Sequence, residues 1–195
     1  YALLDELAAK TEAPFREVKA EMDAELSQRF GVPVEELMPW HYADPFFQRA
    51  PMVGAVNYDA LFEGRDLVEL ALKTYDGLGM EVRPILARSD LYEREGKDQH
   101  AFCTRIDREG DVRILCNLQP SLRWTETILH ELGHGVYDSY IPRALPWLLR
   151  SVPHILSTEA MAMLMGAITL DPEWHEQVLG ASPQEAAARG RAGQA

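Results

Sequence analysis

The run "TILHELGHGVYDSY", residues 127–140, constrains this chain more than any other stretch. Thr125, Ile128, Leu129, Leu132 and Val136 recur at helical spacing, so the run reads as a helix with one apolar side. His130 and His134 stand four apart. On a helix this puts both imidazoles on one face, where two ring nitrogens can meet a single ion. Glu131 falls one step round, beside the first histidine. From there a carboxylate reaches a water held by the ion without binding the ion itself, which is the arrangement that metal-assisted hydrolysis needs. The alternative is a surface helix with two unrelated histidines. The chain has only six His, and two of them flank a Glu at the required spacing, which argues for metal. Gly133, with no side chain, lets another helix or a substrate approach closely.

Two histidines leave a catalytic metal site one protein ligand short. The metzincin solution needs Gly and His at positions 137 and 140; these are Tyr137 and Tyr140. The other common solution is Glu on a later helix. Glu159 lies in "LSTEAMAM", among Ala, Met and Leu, where a carboxylate is costly to bury unless it is paired or bound to a cation. The competing reading places Glu159 on the exposed face of its helix. Glu173 and Glu176, in the polar "DPEWHEQ", are weaker candidates. Asp138, one turn beyond His134, either orients a ligand histidine or faces water.

The remaining residues describe a mainly helical α+β chain. Residues 1–30 read as helix, with Phe15, Val18, Met22, Leu26 and Phe30 as its apolar stripe. Pro14 is expected to interrupt it or begin a second helix, and Gly31 to end it. Residues 38–51 form a packed irregular connection in which His41 is a structural hydrogen-bonder. A helix is expected over about 65–78, with Leu67, Leu70, Ala71 and either Tyr75 or Leu78 facing inward, and a shorter one near 85–88.

Residues 100–118 alternate around Glu109-Gly110, a hairpin signal. A two-residue turn there pairs Cys103 with Cys116, either as a disulfide or as two buried thiols. Free thiols, and with them a cytoplasmic setting, are the expectation. Ser121 is the N-cap of the histidine helix, which stops before Pro142. A further helix runs from about 153 to 170. Its apolar stretch, residues 160–170, is too short to span a bilayer. Net charge is −12, which repels phosphate backbones, so neither nucleic acid nor membrane is an expected partner. The absence of Cys-x-x-Cys excludes a thiolate zinc site.

With these residues assembled, the chain resembles the gluzincin zinc metallopeptidases related to angiotensin-converting enzyme and thimet oligopeptidase. "HELGH" at 130–134 is similar to that family's zinc helix, and "STEAMAM" from Ser157 to its third-ligand helix. "HAFCTRIDREGDVRI" from His100 is similar to the hairpin before the zinc helix in the converting-enzyme branch. The resemblance spans residues 100–170 and implies zincin-like helices with one small hairpin or sheet before the zinc helix. It implies that His130, His134 and Glu159 hold one Zn2+ per chain and that Glu131 is the general base acting on water at the zinc. His100 would donate to a substrate carbonyl, and Ala101 would pair main chain to main chain with an extended peptide. The implied activity is hydrolysis of short peptides, as a peptidyl-dipeptidase or an oligopeptidase.

The chain also departs from that pattern. Such enzymes stabilise the oxyanion with Tyr and His side chains well downstream of the third ligand. The 36 residues after Glu159 contain no Tyr and one His, His175. Met163 stands where the converting-enzyme branch carries an acidic residue. The expectation is therefore one incomplete catalytic domain over 1–195, with a helical part (1–99), a hairpin (100–119), zinc-site helices (120–170) and a polar tail (181–195). Its expected partners are a peptide substrate and the remainder of its own domain. The alternative is a zinc-binding or interaction module without chemistry.

Overall fold

The computed structural model describes residues 1–42 and 58–182. The chain is mainly helical, with a single two-stranded antiparallel sheet among these residues. It divides into two compact units, Tyr1–Val56 and Asn57–Ala195. No described helix is long and apolar enough to cross a membrane. The connection expected over 38–51 and the polar tail fall largely outside the described residues.

The first unit is built on α1, Ala2–Phe30, closed by Gly31 in the left-handed conformation (φ 67°). The expected break at Pro14 does not occur, and α1 runs through it. Proline removes one N–H link and crowds the carbonyl four residues back, a local cost that a long helix can carry. Pairs of opposite charge one turn apart, Glu6 with Lys10 and Glu12 with Arg16, bracket the gap. The expected apolar stripe is also not a core. Of its five residues only Leu26 is buried, while Phe15, Val18 and Phe30 are exposed. One helix and the short turns described after it offer too little surface to cover the stripe. His41 is a structural hydrogen-bonder, its Nδ1 accepting the N–H of Met38 at 2.8 Å.

The second unit contains the site. Helix α2, Leu67–Gly77, is capped by Asp66 and buries Leu67, Leu70, Ala71 and Tyr75, the inward set expected; Leu78 is exposed. A single turn, α3, spans Arg83–Leu86. Strands β1, Phe102–Arg105, and β2, Val112–Leu115, form the sheet. Helix α4, Leu122–Ser139, is capped by the Ser121 hydroxyl and buries Thr125, Ile128, Leu129, Leu132 and Val136. Helix α5, Ile155–Ala167, follows, capped by the His154 imidazole. The core joins α2, α4 and β2, and the Tyr75 hydroxyl, fully buried, donates to the Leu129 carbonyl of α4 at 2.6 Å. Lys97 is buried and donates to the carbonyls of Asp90, Tyr92 and Cys116 and to the Asp90 carboxylate, which ties the loop before β1 to β2.

The hairpin register differs from the expected one by two residues. Cys103 pairs with Ile114, and Arg105 with Val112, so the cysteines are not opposite one another and both thiols are free. Burial pushes each thiol up to about 12, which leaves it inert near neutrality. The cause is a loop of four residues rather than two. The Asp107 carboxylate accepts the N–H groups of Glu109 (2.7 Å) and Asp111 (3.0 Å) and folds the loop around itself, with Arg108 at φ 58° and Gly110 at φ 110°.

These bonds hold the Asp107 carboxyl below its ordinary 3.8. A depressed carboxylate contributes stability that is complete above the unfolded value and lost as pH falls through the folded one. Asp107→Ala is therefore expected to lower stability at neutral pH and to flatten its acid dependence below about pH 4. Urea titrations at a series of pH values check this; parallel acid profiles for the two proteins would remove Asp107 from the loop's account.

Candidate metal centre

Helix α4 places His130 and His134 one turn apart, with their Nε2 atoms 3.2 Å from each other and the rings edge to face. Glu159 arrives from α5. Its carboxylate oxygens lie 3.6 Å from His130 Nε2 and 3.5 Å from His134 Nε2. Among the described residues this is the group of His, Cys, Asp or Glu side chains close enough to share a metal ion. The spacing suits the donor set. Donors about 2.0–2.1 Å from a tetrahedral ion stand about 3.4 Å apart, close to the three separations observed. Burial holds both imidazoles below their ordinary range, with His134 adding to the effect on His130, so both are neutral and able to ligate.

Close approach of the two helices brings these ligands together. Gly133 faces Ala162, and a Cβ built on Gly133 would stand 2.8 Å from the Ala162 Cα. Of the two close approaches envisaged for Gly133, the structure contains the helix. Gly166 of α5 lies against Glu126 and His130 at ordinary contact distance, with 3.6 Å from a built Cβ to the His130 Cβ.

Thr158 is a part of the centre that sequence reasoning did not select. Its hydroxyl lies 2.7 Å from His134 Nδ1 and is buried. With Nδ1–H donating to Thr158, the Nε2 lone pair points at the ion position. Asp138, considered for this role, instead pairs with Arg105 of β1 (3.3 Å), while its other oxygen is buried without a partner. The only signal for Thr158 was its position beside Glu159 on an otherwise apolar helix. Thr158→Val is expected to weaken binding of a divalent metal ion about 10- to 100-fold. Competition with a chelator measures it, and unchanged affinity would mean that the hydroxyl does not orient His134.

Glu131 stands outside the ligand group and is buried. Burial, and then the Glu159 carboxylate, push its carboxyl up to about 7. Glu159 itself is not enclosed as its apolar neighbours suggested; its side chain is 43% exposed. What holds it in place is the geometry of α5 over α4, not the cost of burying a charge.

A groove of about 460 Å³ passes over the centre, between residues 101–105 on one side and His130, Glu131, His134 and Glu159 on the other. Among the described residues, strand β1 pairs with β2 on one edge only. Ala101 lines the groove. His100 is exposed and is not among its lining residues. The Asn117 amide donates to the carbonyls of Asp98 (2.9 Å) and Gln99 (3.3 Å) and so fixes the segment entering β1. His175 is 1% exposed, bonded through Nε2 to the Thr169 carbonyl at 2.7 Å, and belongs to the core.

The fold and centre thus define a class: a mainly helical chain in which two packed helices, beside a small sheet, bring together a His-His-Glu group close enough to share a metal ion. Neither the protein-family models nor the curated proteins compared with the chain match it.

Proposed function

We propose that the chain carries the zinc centre of a gluzincin-type metallopeptidase that hydrolyses peptide bonds in short peptides. The observation that carries this is the convergence of His130, His134 and Glu159 beside a buried Glu131, along a groove bordered by a strand with a free edge. A zinc ion in that position supplies Lewis acidity toward a carbonyl and lowers the pKa of water. The protein's own groups do the rest. Thr158 holds His134 in the tautomer that leaves Nε2 free. The outer edge of β1, from Ala101 on, pairs with the main chain of an extended peptide and presents its carbonyl to the centre. Glu131 takes a proton from water as the carbonyl is attacked and passes it to the departing amine, which separates as the second product.

A second reading, a zinc-binding module without chemistry, has one observation in its favour. No Tyr lines the groove, and the single downstream His is locked in the core, so the expected oxyanion donors are not found among the described residues. Product analysis separates the two. The zinc-loaded chain and its Glu131→Gln variant are each incubated with a panel of free-ended peptides, and products are identified by mass spectrometry. Loss of C-terminal pairs or internal cleavage, by the unaltered chain alone, supports the peptidase. Bound zinc with no products from either protein supports the module.

A further inference from the structure

Helix α5 has a second face that the metal centre does not use. Its inner face buries Thr158, Ala162, Met165 and Gly166, and Ala162 and Gly166 lie against α4. The opposite face reads Leu156, Ala160, Met163, Ala167 and Leu170, at steps of four, three, four and three, with Leu164 beside Met163. Such steps keep side chains on one stripe of a helix. Leu170 stands in the single 3-10 turn, Ile168–Leu170, that continues α5. All six residues are exposed, the four large ones by 41% to 70%. None of the six is polar. A surface helix turns a polar face to water, whereas a helix that is apolar all round is one that is covered all round. The stripe leaves on the order of 600 Å² of apolar surface in water, the top of the range for the largest patch on an ordinary monomer. Laid on its own image it covers about 1,200 Å² in total, above the ~1,000 Å² that marks a specific interface.

We infer that this stripe is a dimer interface whose occupant is α5 of a second copy of the chain, lying antiparallel and crossing at Met163. The order of sizes reads the same in both directions: Leu, Ala, Met, Ala, Leu. A two-fold axis at Met163 therefore sets Leu156 against the partner's Leu170 and Ala160 against the partner's Ala167. That is the self-complementarity a two-fold contact demands. The alanines let the two backbones approach, and the unbranched Met163 adapts to its own image. Charge suits the same orientation. The first turn of α5 has no acidic residue to meet the positive end of its helix dipole. Asp171 follows Leu170 directly and is exposed, so the antiparallel crossing brings the partner's Asp171 to that turn. A parallel pair would set Asp171 against Asp171 instead. The net charge of −12 on each copy opposes association at long range, but physiological salt screens it beyond about 8 Å. Thr158 and Glu159 ride on the same helix, so the contact seats α5 against α4 from behind the metal centre. The inference does not depend on peptidase activity.

Sedimentation velocity on the 195-residue chain, at about 0.15 M salt and over a wide concentration series, tests this. A discrete monomer–dimer equilibrium is expected, with a dissociation constant of about 1–10 µM, as suits an interface at the small end of the range. Met163→Glu and Met163→Lys each set two like charges at the axis and are expected to weaken dimerisation at least about 100-fold. Met163 is exposed, so neither change disturbs the fold, and far-UV circular dichroism checks that. Mixing the two variants sets Glu against Lys and is expected to restore a dimer containing one of each. A monomer at every concentration, larger assemblies with no dimer plateau, or dimers that survive either substitution would overturn the interface. Variants that dissociate but do not recover on mixing would overturn the crossing at Met163. A monomer that cosediments with vesicles of phosphatidylcholine and phosphatidylserine would give the stripe to a lipid surface instead.

Discussion

Glu131→Gln is expected to slow peptide hydrolysis by the zinc-loaded chain about 10²- to 10⁴-fold while the metal stays bound. The substitution keeps the size of the side chain and removes only its ability to hold a proton. Glu131 lies outside the His130, His134 and Glu159 group, so loss of its charge leaves the donor set intact. It is buried and lines the groove, so a residue placed there for structure alone would be tolerated better as an uncharged amide. The two roles therefore pull in opposite directions: the variant is expected to be at least as stable as the parent when metal-free, yet far slower when loaded. Initial rates at matched zinc occupancy, together with thermal unfolding of the metal-free proteins, check both halves. An equal rate in the variant would end the general-base assignment, whatever the stability result.

Gly133→Val is expected to destabilise the fold by about 3 kcal/mol, and Gly133→Ala by less. Alanine gains about 1 kcal/mol of helix propensity over glycine, but here its Cβ meets backbone, the Ala162 Cα at 2.8 Å, which no rotamer change relieves. The helices must move apart. The same motion carries Glu159 on α5 away from His130 and His134 on α4, and metal distances tolerate only about 0.2 Å of error. Zinc affinity is thus expected to fall together with stability. Gly135→Ala is the control. Its Cβ would meet the Ile85 Cδ1 at 3.1 Å, a side-chain terminus able to give way, and Gly135 does not face α5. Urea denaturation and chelator competition on the three variants check this. A Gly133→Val protein with parental stability and zinc affinity would mean that the α4–α5 approach does not set the centre.

Much of the helical framework was legible because its causes are local. Ser121 caps where its short side chain reaches back to a first free N–H group, and the inward residues of α2 and α4 follow helical periodicity. The misreadings share a different cause. The hairpin register turned on whether Asp107 would gather Glu109 and Asp111, which the Glu-Gly turn signal did not reveal. The α1 stripe had the right period for a buried face, yet periodicity does not supply the surface that would cover it. His175 sat in a polar segment and nevertheless entered the core, since its ring found the Thr169 carbonyl.

For the centre, the 3.6-residue repeat of one helix was enough to determine that His130 and His134 share a face and that Glu131 stands beside them. These relations hold within a single turn or two, so sequence spacing and spatial spacing are the same quantity. The other relations cross the chain. Glu159 reaches the two histidines only because Gly133 and Ala162 let α5 lie close on α4, and Thr158 meets His134 through that same contact. Arg105 of β1, Arg143 and Arg150 gather at one cleft because the hairpin packs beside the loop that follows α4. Such meetings are set by how closely two surfaces pack, and no count of residues along the chain contains that distance.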